Sequence, residues 1–548
     1  MKKLSFIFIC ISLFIFSCQK KDNKQKSPKL VIGIVVDQMR YDYLTRFEDR
    51  YGEGGFKRII QNGFSLENAH YNYVPTYTAV GHASIYTGTT PNNHGIIGNW
   101  WYDKFLKKSI YCVDDKTYNS VGTETNKGKK SPYRLFTTTL TDQLKLAQNN
   151  NGKTIGIAIK DRSAILPVGH TGNAAYWFDN GENGRFISSS FYMNDLPNWV
   201  KEFNNQNNAK KYVSQPWNTL YDIKTYTNSI SDNNTFEEKF KGEETPTFPH
   251  DLPSLMKEND GIGIIKETPF GNTLTLDFAK AAILGENLGK NKATDFLSIS
   301  FSSTDYVGHR FGVDAVETED TYLRLDKDLA DLFSFLDTQV GKENYTIFLT
   351  SDHGAARAPS YLQSLKIPAP YFDAKDFKTF VNSITKKYFR NDELVENISN
   401  FQLFLNKEKI ESLGLQKEEI INKLVEETIN YKTIYKAISA KTLQNTNFTT
   451  GILNSIQNGY NQKFSGDVLL VPNPSTISSY YKKGGTTHGS GFSYDTHVPI
   501  IFYGNGIKKG SSKKKYEIID ITPTLSNLLH IETPNGSTGK IIDEVLKK

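Results

Sequence analysis

Asp305 and His309 stand four positions apart. On a helix that spacing puts two side chains on one face and aims them at one point. Asp352-His353-Gly354 sets a carboxylate beside an imidazole, and His488 lies in Gly484-Gly485-Thr486-Thr487-His488-Gly489, where glycine lets the backbone approach closely. Asp37, Lys160 and Arg162 each close an apolar run. Carboxylate oxygen combined with imidazole nitrogen suits zinc better than calcium or magnesium. Thr78 follows a loop ending at Pro75 and opens a run of small residues that reads as a helix. A hydroxyl there meets free backbone N–H groups and the positive end of the helix dipole. That setting suits an oxygen that becomes an anion, or a phosphate held against it. Each feature also has a plain structural reading: Thr78 as an N-cap, a strand-end Asp as a surface residue, the Asp305/His309 pair as a fold contact. The chemical reading rests on their conjunction.

The elements that must position these residues alternate. Leu30–Val36, Thr154–Arg162, Asp295–Phe301 and Tyr345–Thr350 are near-continuous apolar runs with polar exits, the pattern of strands buried on both faces. Helical patterns fall over 56–63, 135–148, 274–288 and 318–336. Strand, polar exit and helix in repetition predict an α/β fold with a mostly parallel central sheet, and in such sheets ligands bind at the carboxyl ends of the strands. Residues 170–270, rich in Asn, Gly and aromatics, read as an irregular insertion; 370–465 reads as an inserted small α+β cap. The catalytic α/β domain is then 30–369 with 466–548, the second piece resuming at Val468–Val471.

The chain has 548 residues, 38% hydrophobic and 23% charged, which describes a soluble globular protein of one large core with insertions or a few domains. Its net charge of +6 includes Lys2 and Lys3, and the one basic run, Lys513-Lys514-Lys515, reads as a solvated turn; no nucleic acid is expected as a specific partner. Lys2-Lys3, the apolar run Leu4–Phe16 and Ser17-Cys18 read as an export signal ending in a lipobox, too short for an ordinary membrane span. Residues 19–29 are a polar tether. A periplasmic location follows, with an outer-membrane lipid anchor on Cys18. Of three cysteines only Cys112 lies in the globular part, so cysteine-built zinc motifs and internal disulfides are excluded.

The residues that carry chemistry resemble the alkaline phosphatase superfamily, in its phosphodiesterase/nucleotide-pyrophosphatase-like branch. The matching segments are Val36-Asp37, Pro75-Thr76-Tyr77-Thr78, Thr87-Gly88, His94–Asn99, Lys160-Asp161-Arg162, Asp305–His309, Ser351–Gly354 and Thr487-His488-Gly489. The resemblance implies a sandwich of helices on the central sheet and two zinc ions, the two-metal arrangement of phosphoryl-transfer enzymes. It implies one zinc on Asp305, His309 and His488, and the other on Asp37, Asp352, His353 and the nucleophile Thr78. Asn99, Lys160 and Arg162 are then the donors to phosphoryl oxygens. The implied activity is an alkaline phosphatase, acting as a monomer on small phosphate monoesters through a phosphothreonine. A phosphodiesterase or nucleotide pyrophosphatase with the same two-zinc site is the alternative, and Lys160 and Arg162 favour the monoester dianion. No Cys-x-Pro-x-Arg segment supports a sulfatase. A binding protein that holds phosphate without turnover is the rival from another class, and the complete set of nucleophile and ligands argues against it. His82 and His94 read as packing or capping residues, and His497, near Asp495, as a supporting or surface residue.

Overall fold

The computed structural model describes residues 27–181 and 183–547. The export signal, Cys18 and most of the tether lie outside them. A ten-stranded sheet forms the centre, in the order Gly510–Glu517, Phe64–His70, His497–Gly504, Tyr345–Thr350, Leu30–Val36, Asp295–Phe301, Thr154–Ala158, Ala174–Asp179, Arg185–Ser189, Ser120–Val121. The five strands from Tyr345–Thr350 to Ala174–Asp179 run parallel. This is the α/β fold with a mostly parallel sheet that the strand pattern predicts.

Leu30–Val36 shows why the sheet forms. Leu30, Ile32, Ile34 and Val36 enter the core on one face, and Val31 and Val35 enter the core on the other. With side chains alternating between faces, both faces must be apolar. Val36 is level with Phe301 and Val35 with Thr350, so the segments that follow these strands emerge side by side. Two close approaches seat the helix Thr78–Thr87 over this edge. A Cβ at Gly81 would lie 2.3 Å from the Asp352 carbonyl oxygen, and one at Gly33 would lie 2.4 Å from the Tyr86 hydroxyl. Only glycine leaves room for the Asp352 backbone at one contact and the Tyr86 side chain at the other.

A separate antiparallel sheet has the order Val395–Ser399, Gln402–Leu405, Val468–Pro472, Ile434–Ser439. Helices Ala374–Phe389 and Lys417–Thr428 share a core with it.

Three sequence expectations change here. Val468–Pro472 pairs in the small sheet and not the main one; its apolar run is the same in either setting, so the pattern could not choose. Residues 170–270 are not wholly irregular, since Ala174–Asp179 and Arg185–Ser189 extend the main sheet. Their Tyr176-Trp177-Phe178 core lacks the aliphatic run that marks the other strands. The helix expected from Leu135 begins at Leu140, because Thr139 and Asp142 form a capping box that fixes its start.

Candidate active site

Every residue that the sequence singles out for chemistry comes to the carboxyl end of the parallel strands. Asp37 follows Leu30–Val36 directly, and Asp352 and His353 follow Tyr345–Thr350. Asp305 and His309 lie on the helix Ser303–Phe311 after Asp295–Phe301. Asp37, Asp352 and His353 are fully buried. The strand read as Thr154–Arg162 ends at Ala158; Lys160 caps the helix Asp161–Val168 and Arg162 lies in its first turn. The acid Asp161 beside the helix N-terminus favours that turn.

Thr78 is the first helical residue, and Tyr77 holds the cap position. The hydroxyl therefore does not serve as the N-cap. Its neighbours are His353 Nε2 at 3.4 Å and Lys160 Nζ at 3.5 Å. The Ala79 N–H donates to Asn99 Oδ1 at 2.8 Å, which fixes the amide orientation and leaves the Asn99 nitrogen as a donor. Arg162 donates to the Tyr111 hydroxyl at 2.9 Å, and its buried Nε has no partner.

The three imidazoles are wired alike. Nδ1 of His309, His353 and His488 faces the carbonyl oxygens of Thr486 (2.8 Å), Gly354 (3.0 Å) and Thr76 (2.7 Å). A carbonyl only accepts, so each Nδ1 carries the proton and each Nε2 keeps a lone pair. Those lone pairs face carboxylates. His309 Nε2 lies 3.2 Å and His488 Nε2 3.6 Å from Asp305 Oδ1, and His353 Nε2 lies 3.5 Å from Asp37 Oδ1.

Lys160 Nζ bridges Asp37 Oδ2 at 2.7 Å and Asp305 Oδ2 at 2.5 Å. Ligand atoms within 4.8 Å of one another form two groups, Asp305/His309/His488 and Asp37/Asp305/His353. Asp352 stands beside the second, with Oδ2 3.6 Å from His353 Nε2.

Burial sets the electrostatics. It drives Asp37 well above the carboxylate range, with Asp352 adding and Lys160 opposing. It lifts Asp352 to about 7, against Lys160. It pulls His488 down to about 3, and pulls His353 well down with help from His488. Asp305 goes the other way: burial raises it, but His309 and Lys160 hold it well below its usual value. His309 also goes the other way, since burial lowers its pKa but Asp305 raises it above the usual value. Asp37, Asp352, His353 and His488, all pushed toward neutrality, describe a site short of positive charge. Asp37 Oδ1 and Asp352 Oδ2 are buried without a hydrogen-bond partner. The donor set of oxygen and neutral imidazole nitrogen therefore fits a divalent metal ion.

Sequence reading missed several supports. Gln38, at a left-handed φ of 66°, donates from its side chain to Asp305 (2.8 Å) and from its backbone to Asp352 (3.2 Å). Nothing in the sequence marks it beyond its place after Asp37. Asp495 accepts from the N–H groups of Gly489 and Ser490 and so fixes the His488 loop. His82, read as packing, lies 2.9 Å from the Thr78 carbonyl, 3.0 Å from Ser300 and 3.3 Å from Asp352 Oδ2. His94 contacts Ser84 at 2.9 Å. His497 meets the Glu67 carbonyl and stacks on Tyr41 and His70.

The chain that brings the Thr78 hydroxyl beside these acid–imidazole groups has relatives among known proteins. The family model for type I phosphodiesterase/nucleotide pyrophosphatase matches residues 31–493, and the chain belongs to that family, within the alkaline phosphatase superfamily. Alkaline phosphatase PafA of Elizabethkingia meningoseptica is 45% identical over 529 residues, 96% of each chain. The crystal structure of wild-type alkaline phosphatase PafA superposes with a TM-score of 0.92, covering 96% of this chain and 100% of that one at 45% identity. A protein of Myroides odoratus named calcium-transporting ATPase is 47% identical over 527 residues, 96% of each chain. Among the described residues no helix is long and apolar enough to cross a membrane.

Proposed function

We propose that this chain is an exported zinc-dependent alkaline phosphatase that hydrolyses phosphate monoesters through a phosphothreonine on Thr78. The observation that carries the reading is the Thr78 hydroxyl at a helix start, within 3.5 Å of both His353 and Lys160. Asp305, His309 and His488 would hold one zinc, and Asp37, Asp352 and His353 the other together with Thr78. Bound zinc supplies Lewis acidity that favours alkoxide over hydroxyl. Thr78 Oγ1 attacks phosphorus; its bond to phosphorus forms as the ester P–O bond breaks and the alcohol leaves. Water then cleaves the threonyl phosphate, releasing inorganic phosphate and restoring the hydroxyl. The Lys160 ammonium sits beside the oxygen that turns anionic, and Asn99 and Arg162 keep donors for the non-bridging oxygens.

The test is a rate comparison on a monoester and a diester of one leaving group, with metal content measured on the same sample. A monoester preference with two zinc ions per chain supports the reading. A diester preference favours the phosphodiesterase named by the family model. ATP belongs in the panel, given the relative named as an ATPase. Thr78→Ser should remain active, while Thr78→Ala should lose about a thousandfold or more in turnover and still bind phosphate; phosphate trapped on another residue would refute the nucleophile. Residues 1–18 support export to the periplasm with a lipid on Cys18, and a mass spectrum of the mature N-terminus decides it.

A further inference from the structure

A cavity of about 340 Å³ lies between the His488 loop and the small antiparallel sheet, a volume within the range of small-ligand pockets. Val74, Ile398, Ile452, Ile456, Leu470 and Ile477 give it an apolar lining, and Phe372 and Phe401 add rings whose centroids are 4.9 Å apart. Its remaining wall is shared with the site. Tyr77, directly before Thr78, lines the cavity and meets the His488 ring edge-on at 5.8 Å. Tyr481 lines it too, and its hydroxyl lies 3.1 Å from His309 Nδ1.

Asp305 divides the site into two sides. Its Oδ2 faces Lys160 and through it Asp37, while Oδ1 faces His309 and His488. Thr78 stands on the His353 side. In-line displacement by Thr78 sends the departing oxygen away from the nucleophile; His488, stacked on His353 at 3.4 Å, lines the cavity, as does Tyr481, which contacts His309. We propose that this cavity receives the leaving group, and that it favours monoesters of alcohols carrying an aromatic or extended apolar group. The small sheet then has a task, which is to wall the leaving-group site. The inference rests on the phosphomonoesterase reading.

The test compares 2-naphthyl phosphate with methyl phosphate on the wild type, Ile452→Trp and Ile398→Ala. Both positions are half-buried and outside the reacting groups. Ile452→Trp fills the cavity and should lower kcat/KM for the naphthyl ester about tenfold or more, mainly through KM. Methyl phosphate should stay within about twofold. Ile398→Ala removes contact and should cost the naphthyl ester a few-fold with methyl phosphate unchanged. If Ile452→Trp loses both activities through misfolding, the ratio in Ile398→Ala decides. Equal changes on both esters, or none, overturn the leaving-group site while the phosphatase reading stands. No hydrolysis of either ester by the wild type overturns the phosphatase reading and this inference with it.

Discussion

Among the described residues, two clusters of acids and histidines wire their imidazoles differently. In the active-site cluster each of His309, His353 and His488 spends Nδ1 on a backbone carbonyl and turns Nε2 toward acids 3.2 to 3.6 Å away. In the other cluster His250 spends both nitrogens on carboxylates: Nδ1 meets Glu243 at 2.7 Å and Nε2 meets Glu317 at 3.1 Å. Orphaned carboxylate oxygens occur in both, at Asp37 and Asp352 in one and at Glu237 and Glu317 in the other. Orphaned oxygens alone therefore do not mark a ligand site. What separates the two clusters is the imidazole wiring, because a histidine with both nitrogens on acids is an imidazolium strut, whereas one with Nδ1 on a carbonyl keeps a lone pair to give. Among the described residues only the first cluster brings three ligand atoms of this kind within 4.8 Å.

The largest effect expected from this contrast is on metal content. Asp305 belongs to both ligand groups, so Asp305→Ala should lose metal and reduce activity by at least about a hundredfold, since even residues that merely support metal ligands cost about 10–100-fold. His250→Gln should keep the metal and lose stability instead, by about 3–5 kcal/mol, the cost of removing one partner of a buried ion pair. Elemental analysis and thermal unfolding on both variants read the two outcomes. Metal lost from His250→Gln and retained in Asp305→Ala would break the contrast.

The contrast was only half visible in the chain itself. Asp37, Asp305 and Asp352 could be found because each follows an apolar run that had to be a buried strand or opens the helix after one. The Asp305/His309 pair carries its helical spacing openly. His250 offers no such signal: its partners Glu243 and Glu317 come from a loop and from the long helix Val316–Gln339, and only tertiary contact joins them. Gln38 is equally silent, since its role comes from a left-handed backbone that no propensity foretells. The parallel sheet was legible from continuous apolar runs. The placement of Val468–Pro472 was not, because strand pattern reports burial and not which sheet does the burying.

Within the active-site cluster, Lys160 is the fixed cation and Arg162 is held by Tyr111. A monoester dianion offers more charge to this pair than a diester does. Charged hydrogen bonds contribute about 1.5–3 kcal/mol each, or about ten- to a hundredfold in rate apiece. Lys160→Ala combined with Arg162→Ala should therefore slow monoester hydrolysis by about 10²–10⁴-fold and diester hydrolysis much less. Steady-state rates on a matched pair of esters measure it. Equal losses would show that the pair does not set the preference and would move the assignment toward the phosphodiesterase.

The smallest effect concerns pH, and it isolates the strut. Burial opposes protonation of His250, yet Glu243 and Glu317 raise its pKa from 6.5 to about 9. Glu237 and Glu317 are themselves held above the usual Glu value, chiefly by burial. All three groups bind protons more tightly in the folded chain than in the unfolded one. Stability therefore falls as pH rises wherever the unfolded state has already released those protons. For His250 the contribution is complete below about 6.5 and is lost as pH climbs through about 9. A rise of this size corresponds to about 3 kcal/mol. The wild type should lose a few degrees of Tm between pH 7 and pH 10, and His250→Gln, already less stable at pH 7, should lose less over the same interval. The difference between the two proteins is the quantity to read, because lysines, tyrosines and the active-site acids titrate in both. Parallel pH curves for wild type and variant would mean that His250 is not charged in the folded protein. The strut would then be an ordinary hydrogen-bonded histidine, and its contrast with the active-site imidazoles would rest on geometry alone.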